Sequence, residues 1–283
     1  MRKKHLPFLF PTIAIITFDF LYPIIYTLLL SFYDVKLLEN KFEFVGIQNY
    51  LNIVENWGFL LNILKNTFAW TFGSLATVFG FGMLTALLLH DRELRFKRVF
   101  RSIFIIPWSF SMVGILTWRW LFSSDYGMFN EILKKVGLIN NYINWLESSQ
   151  TSIWACIIFN TWHMAPYAMV MILAGLESIP TTLYEAAELD GADSIKKFFY
   201  ITLPQLKSTV AVSSSLYLIW TLNTITPYIL VPGAGTTEVL ATYIYKTFFV
   251  SFNFGLGAAT TTILFLLTLI VTLFYLNMLK LKW

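Results

Sequence analysis

The chain has 283 residues, of which 57% are hydrophobic and only 13% are charged. About 25% of the residues of a soluble domain are charged, so this composition excludes an ordinary soluble domain and indicates a polytopic membrane protein. The formal net charge of +4 is small. Membrane topology accounts for where the basic residues lie, and no nucleic-acid partner is inferred.

Six segments are apolar enough to cross a membrane, which takes about 20 mostly apolar residues per helix. We therefore predict an all-α protein whose single transmembrane domain covers residues 1–283. The predicted helices cover residues 6–32, 67–90, 99–122, 153–175, 209–231 and 256–279. The second helix carries Gly73, Gly80 and Gly82, and because small residues allow close approach, we expect it to pack tightly against other helices.

The basic residues predict the orientation of these helices. With a cytoplasmic N-terminus, thirteen of the 20 Lys and Arg residues fall in inner segments and seven in outer segments. Lys and Arg are enriched on the cytoplasmic side of membrane proteins. The N- and C-termini are therefore both predicted to be cytoplasmic, and segments 34–62 and 123–150 are predicted to be outer loops.

One charged, alanine-rich stretch interrupts the apolar sequence in the second cytoplasmic loop. It reads "EAAELDGADSIKKFFYITLP" and covers Glu185–Pro204. Strong helix formers precede Gly191, which stands where a helix would end and tolerates a positive φ. Asp193 or Ser194 can cap a second short helix. The stretch therefore predicts a helix–turn–helix elbow within a loop of about residues 177–207.

The spacing within this stretch resembles a known motif. Glu185-Ala186-Ala187, then Gly191, then "ITLP" (Ile201–Pro204) is similar to the EAA loop of permease subunits in ABC importers. "FVGIQNY" (44–50) and "LAGLESIPTTLYEAAELDGAD" (173–193) resemble motifs of the sugar-type permeases related to the maltose and glycerol-phosphate importers. Nearly the whole chain fits the first permease of that family, which has the six-helix type I importer fold. One departure is "VPGAGTTEV" (231–239), where relatives often carry a Thr-Gly-Gly-Gly-Pro-like turn.

The resemblance implies a multi-pass protein of the prokaryotic cell (inner) membrane that takes up a sugar or oligosaccharide. Glu185, Ala186, Ala187 and Gly191 would contact a cytoplasmic ATPase dimer, which would bind ATP and Mg²⁺. The other implied partners are a second homologous permease subunit, an external solute-binding protein and membrane lipid.

The chain itself is not expected to be an enzyme. The sequence has no G-x-x-x-x-G-K-[ST] phosphate-binding loop, so ATP hydrolysis is expected on a separate subunit. The three histidines do not cluster. No catalytic residue, metal ligand or cofactor is therefore predicted in this chain.

Polar and aromatic side chains in the fourth and fifth predicted helices are candidates for the solute path, because polar groups within a membrane are functional candidates. These are Asn160, Trp162, His163 and Tyr167 in the fourth helix, and Tyr217, Trp220, Thr221, Asn223 and Thr224 in the fifth. Aromatic faces with hydroxyl and amide groups suit a carbohydrate. The alternative is that they form hydrogen bonds between neighbouring helices, and the sequence leaves both open.

Two alternative functions remain. The first is an ABC importer permease for a non-sugar solute, such as an amino acid or glycerol phosphate; a path for an anion would favour Arg or Lys near the middle of the membrane, and the predicted helices have none there. An ion-coupled secondary transporter would favour several embedded carboxylates, and the predicted helices contain Asp19 alone. Arg119 lies between two tryptophans and is expected to anchor the outer interface.

Overall fold

The computed structural model describes residues 6–90, 95–231 and 237–278. Most of the altered glycine-bearing turn after residue 231 lies outside these residues. The first elements are α1 (Leu6–Ile16), a π-helical segment (Thr17–Leu21), α2 (Tyr22–Leu30), β1 (Tyr33–Lys36), β2 (Lys41–Phe44), α3 (Gln48–Glu55) and α4 (Trp57–His90). The next are α5 (Lys97–Ser109), α6 (Ser111–Leu121), α7 (Met128–Lys135) and α8 (Ser152–Glu177). The last are α9 (Thr181–Leu189), α10 (Ser194–Lys197), a second π-helical segment (Phe198–Thr202), α11 (Leu203–Leu222), α12 (Thr226–Leu230), α13 (Leu240–Phe249) and α14 (Phe254–Met278).

The protein is mostly helical, as predicted. Within the described residues, four helical stretches are long and apolar enough to cross a membrane: Leu9–Leu30, Trp57–His90, Ser152–Glu177 and Phe254–Met278. The pair α5–α6 becomes a fifth if the two helices are counted as one bent span. Length and composition therefore support a multi-pass membrane protein with four or five such spans.

Three predicted helices differ in their bounds. The second begins earlier, at Trp57. The third is interrupted at Phe110, where α5 and α6 meet at 89°. Pro107 lies in the last turn of α5, three residues before this break; because a proline disturbs the turn that precedes it, it does not by itself account for a break at Phe110. The fifth stops at Leu222, and α12 follows after a short break.

The first of two compact units consists of residues up to Leu64 together with Leu240–Leu269. The β1–β2 hairpin pairs Tyr33 with Phe44 at its open end. The buried Asn49 side chain donates hydrogen bonds of 2.9 Å to the carbonyls of Ser31 and Tyr33. The Tyr50 hydroxyl lies 2.6 Å from Ser31 Oγ. The "FVGIQNY" segment therefore ties α3 to the end of α2.

The second unit is Lys65–Val239 with the chain from Ile270. It carries the elbow and the two candidate stripes, which are the solute-path residues predicted in the fourth and in the fifth helix. α8 is the most buried of the candidate spans and packs against α5 and α11. A Cβ atom added at Gly82 of α4 would lie 2.5 Å from Ala168 Cβ in α8. The predicted close packing of the glycine-bearing helix is confirmed. Because lipid is as apolar as a leucine side chain, such close contacts stabilise helix pairs more than apolar burial does.

Candidate functional site

The elbow consists of α9, a tight turn and α10. Gly191 has φ +75°, as its position after the helix predicts. The Ala192 N–H donates to the Ala187 carbonyl at 2.8 Å, and the Gly191 N–H donates to the Glu188 carbonyl at 3.0 Å. These bonds satisfy carbonyls at the end of α9. The Asp193 carboxylate accepts from the Lys196 N–H at 2.8 Å and caps α10, as predicted.

The two glutamates of α9 differ in their surroundings. Lys197 Nζ lies 2.7 Å from Glu188 Oε1, so this ion pair joins the two arms of the elbow. The hydrogen bond and charge of Lys197 lower the pKa of Glu188. Glu185 is exposed and forms neither a hydrogen bond nor an ion pair within the part of the chain that the structure describes. Glu185 is therefore available to a cationic group of another protein.

The elbow is attached to the helices through one face. The Tyr184 hydroxyl is 2.9 Å from Thr202 Oγ1, and its ring packs against the core of the second unit. Ala187 is half-buried on this side, whereas Ala186 is exposed. The outward face carries Leu189, which is 91% exposed, and other large apolar side chains. These are Leu183, Ile195, Phe199 and Tyr200.

An ion pair holds the end of α8 just before the elbow. Arg101 Nη2 of α5 donates to Glu177 Oε1 at 3.0 Å and to the Leu89 carbonyl at 3.4 Å. The pair lies beside a cleft of about 720 Å³ that the elbow also lines. α4, α5 and α8 are thus joined where the chain leaves the predicted membrane region.

The structure divides the predicted solute-path residues into two groups. Four are buried between helices. The amide of Asn160 donates to the Tyr217 hydroxyl at 2.6 Å, and the Tyr167 hydroxyl donates to the Ser213 carbonyl at 3.0 Å. Thr221 Oγ1 donates to the carbonyl of Tyr217 at 2.8 Å. The Asn160 and Tyr167 bonds join α8 to α11 and so match the alternative of hydrogen bonds between neighbouring helices, whereas the Thr221 bond lies within α11.

The other five predicted residues are exposed or half-buried. Trp220 is 48% exposed and its ring centroid lies 5.1 Å from that of Tyr167. Trp162 is also exposed, whereas His163 is half-buried and stacks on Phe159. The Nε2 atom of His163 is buried without a hydrogen-bond partner among the described residues. Asn223 is exposed and Thr224 is half-buried.

Sequence reasoning missed two tryptophans of the bent α5–α6 pair. The Trp108 ring centroid lies 5.9 Å from that of Tyr167, and the Trp118 centroid lies 5.4 Å from that of Trp162. Trp108, Trp162 and Trp220 are exposed and Trp118 is half-buried; these four tryptophans of α5, α6, α8 and α11 are called the aromatic surface below. Trp108 directly follows Pro107, and that proline was the only sequence signal of a bend there.

The second unit presents its elbow and its exposed aromatic side chains for contact with other molecules. Within the residues that the structure describes, no group of three or more His, Cys, Asp and Glu is placed to hold a metal ion. The exposed elbow and the aromatic surface instead offer two contact regions of different chemistry, one apolar and acidic and the other aromatic and polar.

Comparison with known proteins assigns the family. The family described as "Binding-protein-dependent transport system inner membrane component" matches residues 78–280. The chain belongs to this family. The match includes the elbow and both stripes, and it identifies the protein as a multi-pass membrane permease.

Relatives that match this chain over nearly their whole length are also named as transport permeases. The chain is 31% identical to the probable ABC transporter permease protein YurN of Bacillus subtilis, over 99% of this chain and 97% of that protein. It is 31% identical to the trehalose/maltose transport system permease protein MalF of Thermococcus litoralis, over 94% of this chain and 90% of that protein. A solved bacterial ABC transporter involved in the import of the acidic polysaccharide alginate contains a chain with the same fold. The TM-score is 0.82 at 24% identity, over 97% of this chain and 94% of that one.

Proposed function

We propose that this permease is one transmembrane subunit of an ATP-driven importer for a sugar or oligosaccharide delivered by an external solute-binding protein. It forms six membrane spans, with α11 and α12 as the fifth and both termini in the cytoplasm. A second, homologous permease completes the solute path. Two ATPase subunits, which bind ATP and Mg²⁺, dock on the cytoplasmic side.

The observation that carries the ATPase contact is the exposed elbow. Its two arms are fixed by the Gly191 turn, by the Asp193 cap and by the Glu188–Lys197 ion pair. A large apolar surface of this kind on a water-facing loop is typical of a protein-binding site. Glu185, which is exposed and unpaired among the described residues, adds a charge that a basic group of the ATPase can meet.

The aromatic surface supports a carbohydrate as the solute. Trp220 and Trp162 are exposed, and Asn223 and Thr224 lie close to Trp220 in the sequence. Sugars pack their C–H faces on aromatic rings and their hydroxyls on amides and hydroxyls. Relatives are named for trehalose/maltose, galactooligosaccharide and arabinooligosaccharide transport.

Uptake by whole cells tests this proposal. The chain is expressed together with the proposed partners from the same organism, an ATPase, a second permease and a solute-binding protein, in a host that lacks sugar importers. We expect uptake of at least one labelled neutral sugar or oligosaccharide that requires this chain and cellular ATP. Uptake that continues without the ATPase, or uptake of non-sugar solutes alone, would refute it.

A further inference from the structure

A polar cleft lies at the opposite end of α8 from the elbow. Its volume is about 450 Å³, within the range of about 300–1,000 Å³ that is usual for small-molecule sites. α8 has 26 residues, so about 39 Å of helix separates the two regions. The cleft is lined by the end of α6, by the chain that follows it and by the loop after α7. The solute path along α8 and α11 does not use it.

The frame of this cleft is built around a buried asparagine. The amide of Asn130 donates to the Ile143 carbonyl at 3.0 Å, and its oxygen accepts from the Ile143 N–H at 3.1 Å and from the Trp145 indole at 3.0 Å. Phe122 and Leu146, which line the cleft, are buried. These bonds fix the loop to α7, and the Trp145 ring, whose centroid is 5.7 Å from that of Phe122, packs the loop against the end of α6. A fixed frame lowers the entropic cost of binding a ligand.

Two aromatic side chains line the cleft and remain open to a ligand. Trp120 is 53% exposed and Tyr126 is 64% exposed. Their ring faces are broad, apolar and stiff, since each side chain has two rotatable bonds. Such faces suit the C–H surface of a pyranose ring.

The polar lining offers both donors and acceptors. The amide of Asn144 donates to Glu147 Oε2 at 2.9 Å, and the Glu147 N–H donates to Asn144 Oδ1 at 3.2 Å, so each fixes the other. Arg119 forms no ion pair within the described ranges and brings up to five donors. Asp125 adds a second carboxylate. Hydroxyls donate and accept, so this mixture suits them, whereas two carboxylates against one guanidinium disfavour an anionic ligand.

We infer that this cleft is a second saccharide site, which holds a neutral sugar unit at the end of the permease farthest from the elbow. The inference rests on the proposed function, because it takes a sugar as the solute. It adds a place where a sugar released from the binding protein is held before it enters the path along the exposed aromatic side chains of α8 and α11. The competing use of Arg119 and Trp120 is as interfacial anchors, which would give no response to sugar.

Cysteine labelling tests the site directly, because the only cysteine of the chain, Cys156, is buried. Ser124→Cys places a thiol in the cleft lining. Ser149→Cys is the matched control, since Ser149 is exposed in the same outer region but does not line the cleft. The full-length permease is purified in detergent, and the rate of its reaction with a polar maleimide is measured with and without saccharide.

The probes are trehalose, maltotriose, arabinotriose and galactobiose, with any sugar whose uptake has been observed, and trigalacturonate as the acidic probe. At about 100 mM, a saccharide that binds with a Kd of about 1–10 mM fills most of the sites. We expect at least one neutral saccharide to slow the labelling of Ser124→Cys at least about fivefold. At about 80% occupancy only about one fifth of the sites are free to react, which gives this factor. Trigalacturonate should not slow it, and Ser149→Cys should not respond. Adding Arg119→Gln or Trp120→Ala to Ser124→Cys should remove the protection.

The same labelling is repeated with purified binding protein in place of saccharide. Three results would overturn the inference: no protection by any saccharide, equal protection of both cysteines, or protection by the binding protein without sugar. The last would make the cleft a docking surface. Uptake separates this inference from the proposed function. Sugar uptake without protection refutes the second site alone, whereas absence of sugar uptake refutes the proposed function whatever the labelling shows.

Discussion

The sharpest test of the elbow is the substitution Gly191→Val. Gly191 has φ +75°, and no atom lies within 4 Å of a Cβ atom built there. A Cβ atom at this position therefore meets no described atom beyond the adjacent residues, and we expect the effect of valine to arise from backbone strain. A β-branched residue at positive φ is a conformational outlier.

The size of the effect follows from this strain. A residue held in a sparsely populated backbone region costs about 1–3 kcal/mol. Because 1.4 kcal/mol corresponds to a factor of ten, the turn that joins α9 to α10 becomes about 5- to 150-fold less populated relative to relaxed turns. If the ATPase binds the native turn, its affinity falls by as much as this factor.

The chain offers a matched control at Gly137. It also has φ +75° and no atom within 4 Å of a built Cβ, and it also follows a helix end, that of α7. The Gly137 N–H donates to the Lys134 carbonyl at 3.1 Å, as the Gly191 N–H does to Glu188 at 3.0 Å. Gly137→Val thus imposes the same strain in the segment that is predicted to be outside.

Co-purification of the ATPase and sugar uptake measure both variants. We expect Gly191→Val to lose most of the bound ATPase and of the uptake, while Gly137→Val retains the ATPase. Gly191→Asn should recover part of the function, because asparagine tolerates positive φ. Wild-type ATPase binding by Gly191→Val, or equal loss in both valine variants, would show that the elbow is not the ATPase contact.

Three further predictions concern charge, packing and orientation. Glu185→Lys should abolish ATPase co-purification without changing the thermal unfolding of the permease, since Glu185 has no partner among the described residues; normal co-purification would contradict this. Trp220→Ala should lower sugar uptake and leave the unfolding temperature of the permease unchanged. Tyr217→Phe should lower the unfolding temperature, because the Asn160 amide loses its hydrogen-bond acceptor at a cost of about 1–3 kcal/mol. If instead Trp220→Ala lowered the unfolding temperature and Tyr217→Phe lowered only uptake, Trp220 would be the structural residue and Tyr217 the one that contacts the solute. A reporter inserted at Asn141 should be external and one fused to the C-terminus cytoplasmic, and the reverse at either site would refute the six-span topology.

Local sequence determined much of the elbow. Helix formers up to Leu189, a glycine two residues later and an aspartate at position 193 each act through their own backbone conformation or through hydrogen bonds to near neighbours. The positive φ of Gly191 and the cap at Asp193 follow from such short-range effects. The glycine pattern of the second predicted helix likewise indicated close packing, although it could not name Ala168 as the neighbour.

The candidate stripes show the limit of periodicity. Helical spacing places Asn160 and Tyr167 of α8, like Tyr217 and Trp220 of α11, near one another. Spacing does not say whether that face meets another helix or the surface. In the structure, Asn160, Tyr167 and Tyr217 are buried, whereas Trp220 is exposed. The rotation of α8 and α11 about their own axes determines which side chains face the partner helix, and this rotation depends on all the contacts that the helices make.

The sequence by itself determined the membrane class, the family and the local form of the elbow. Composition and motif spacing are properties of the sequence alone, and short-range hydrogen bonds depend only on residues that are close in the chain. Only the tertiary structure decided which polar side chains satisfy one another, where α5 and α6 separate, and that Trp120, Tyr126 and Glu147 line one cleft. Those outcomes depend on contacts between residues far apart in the chain. Such contacts are settled by packing and by the requirement that buried polar groups find partners.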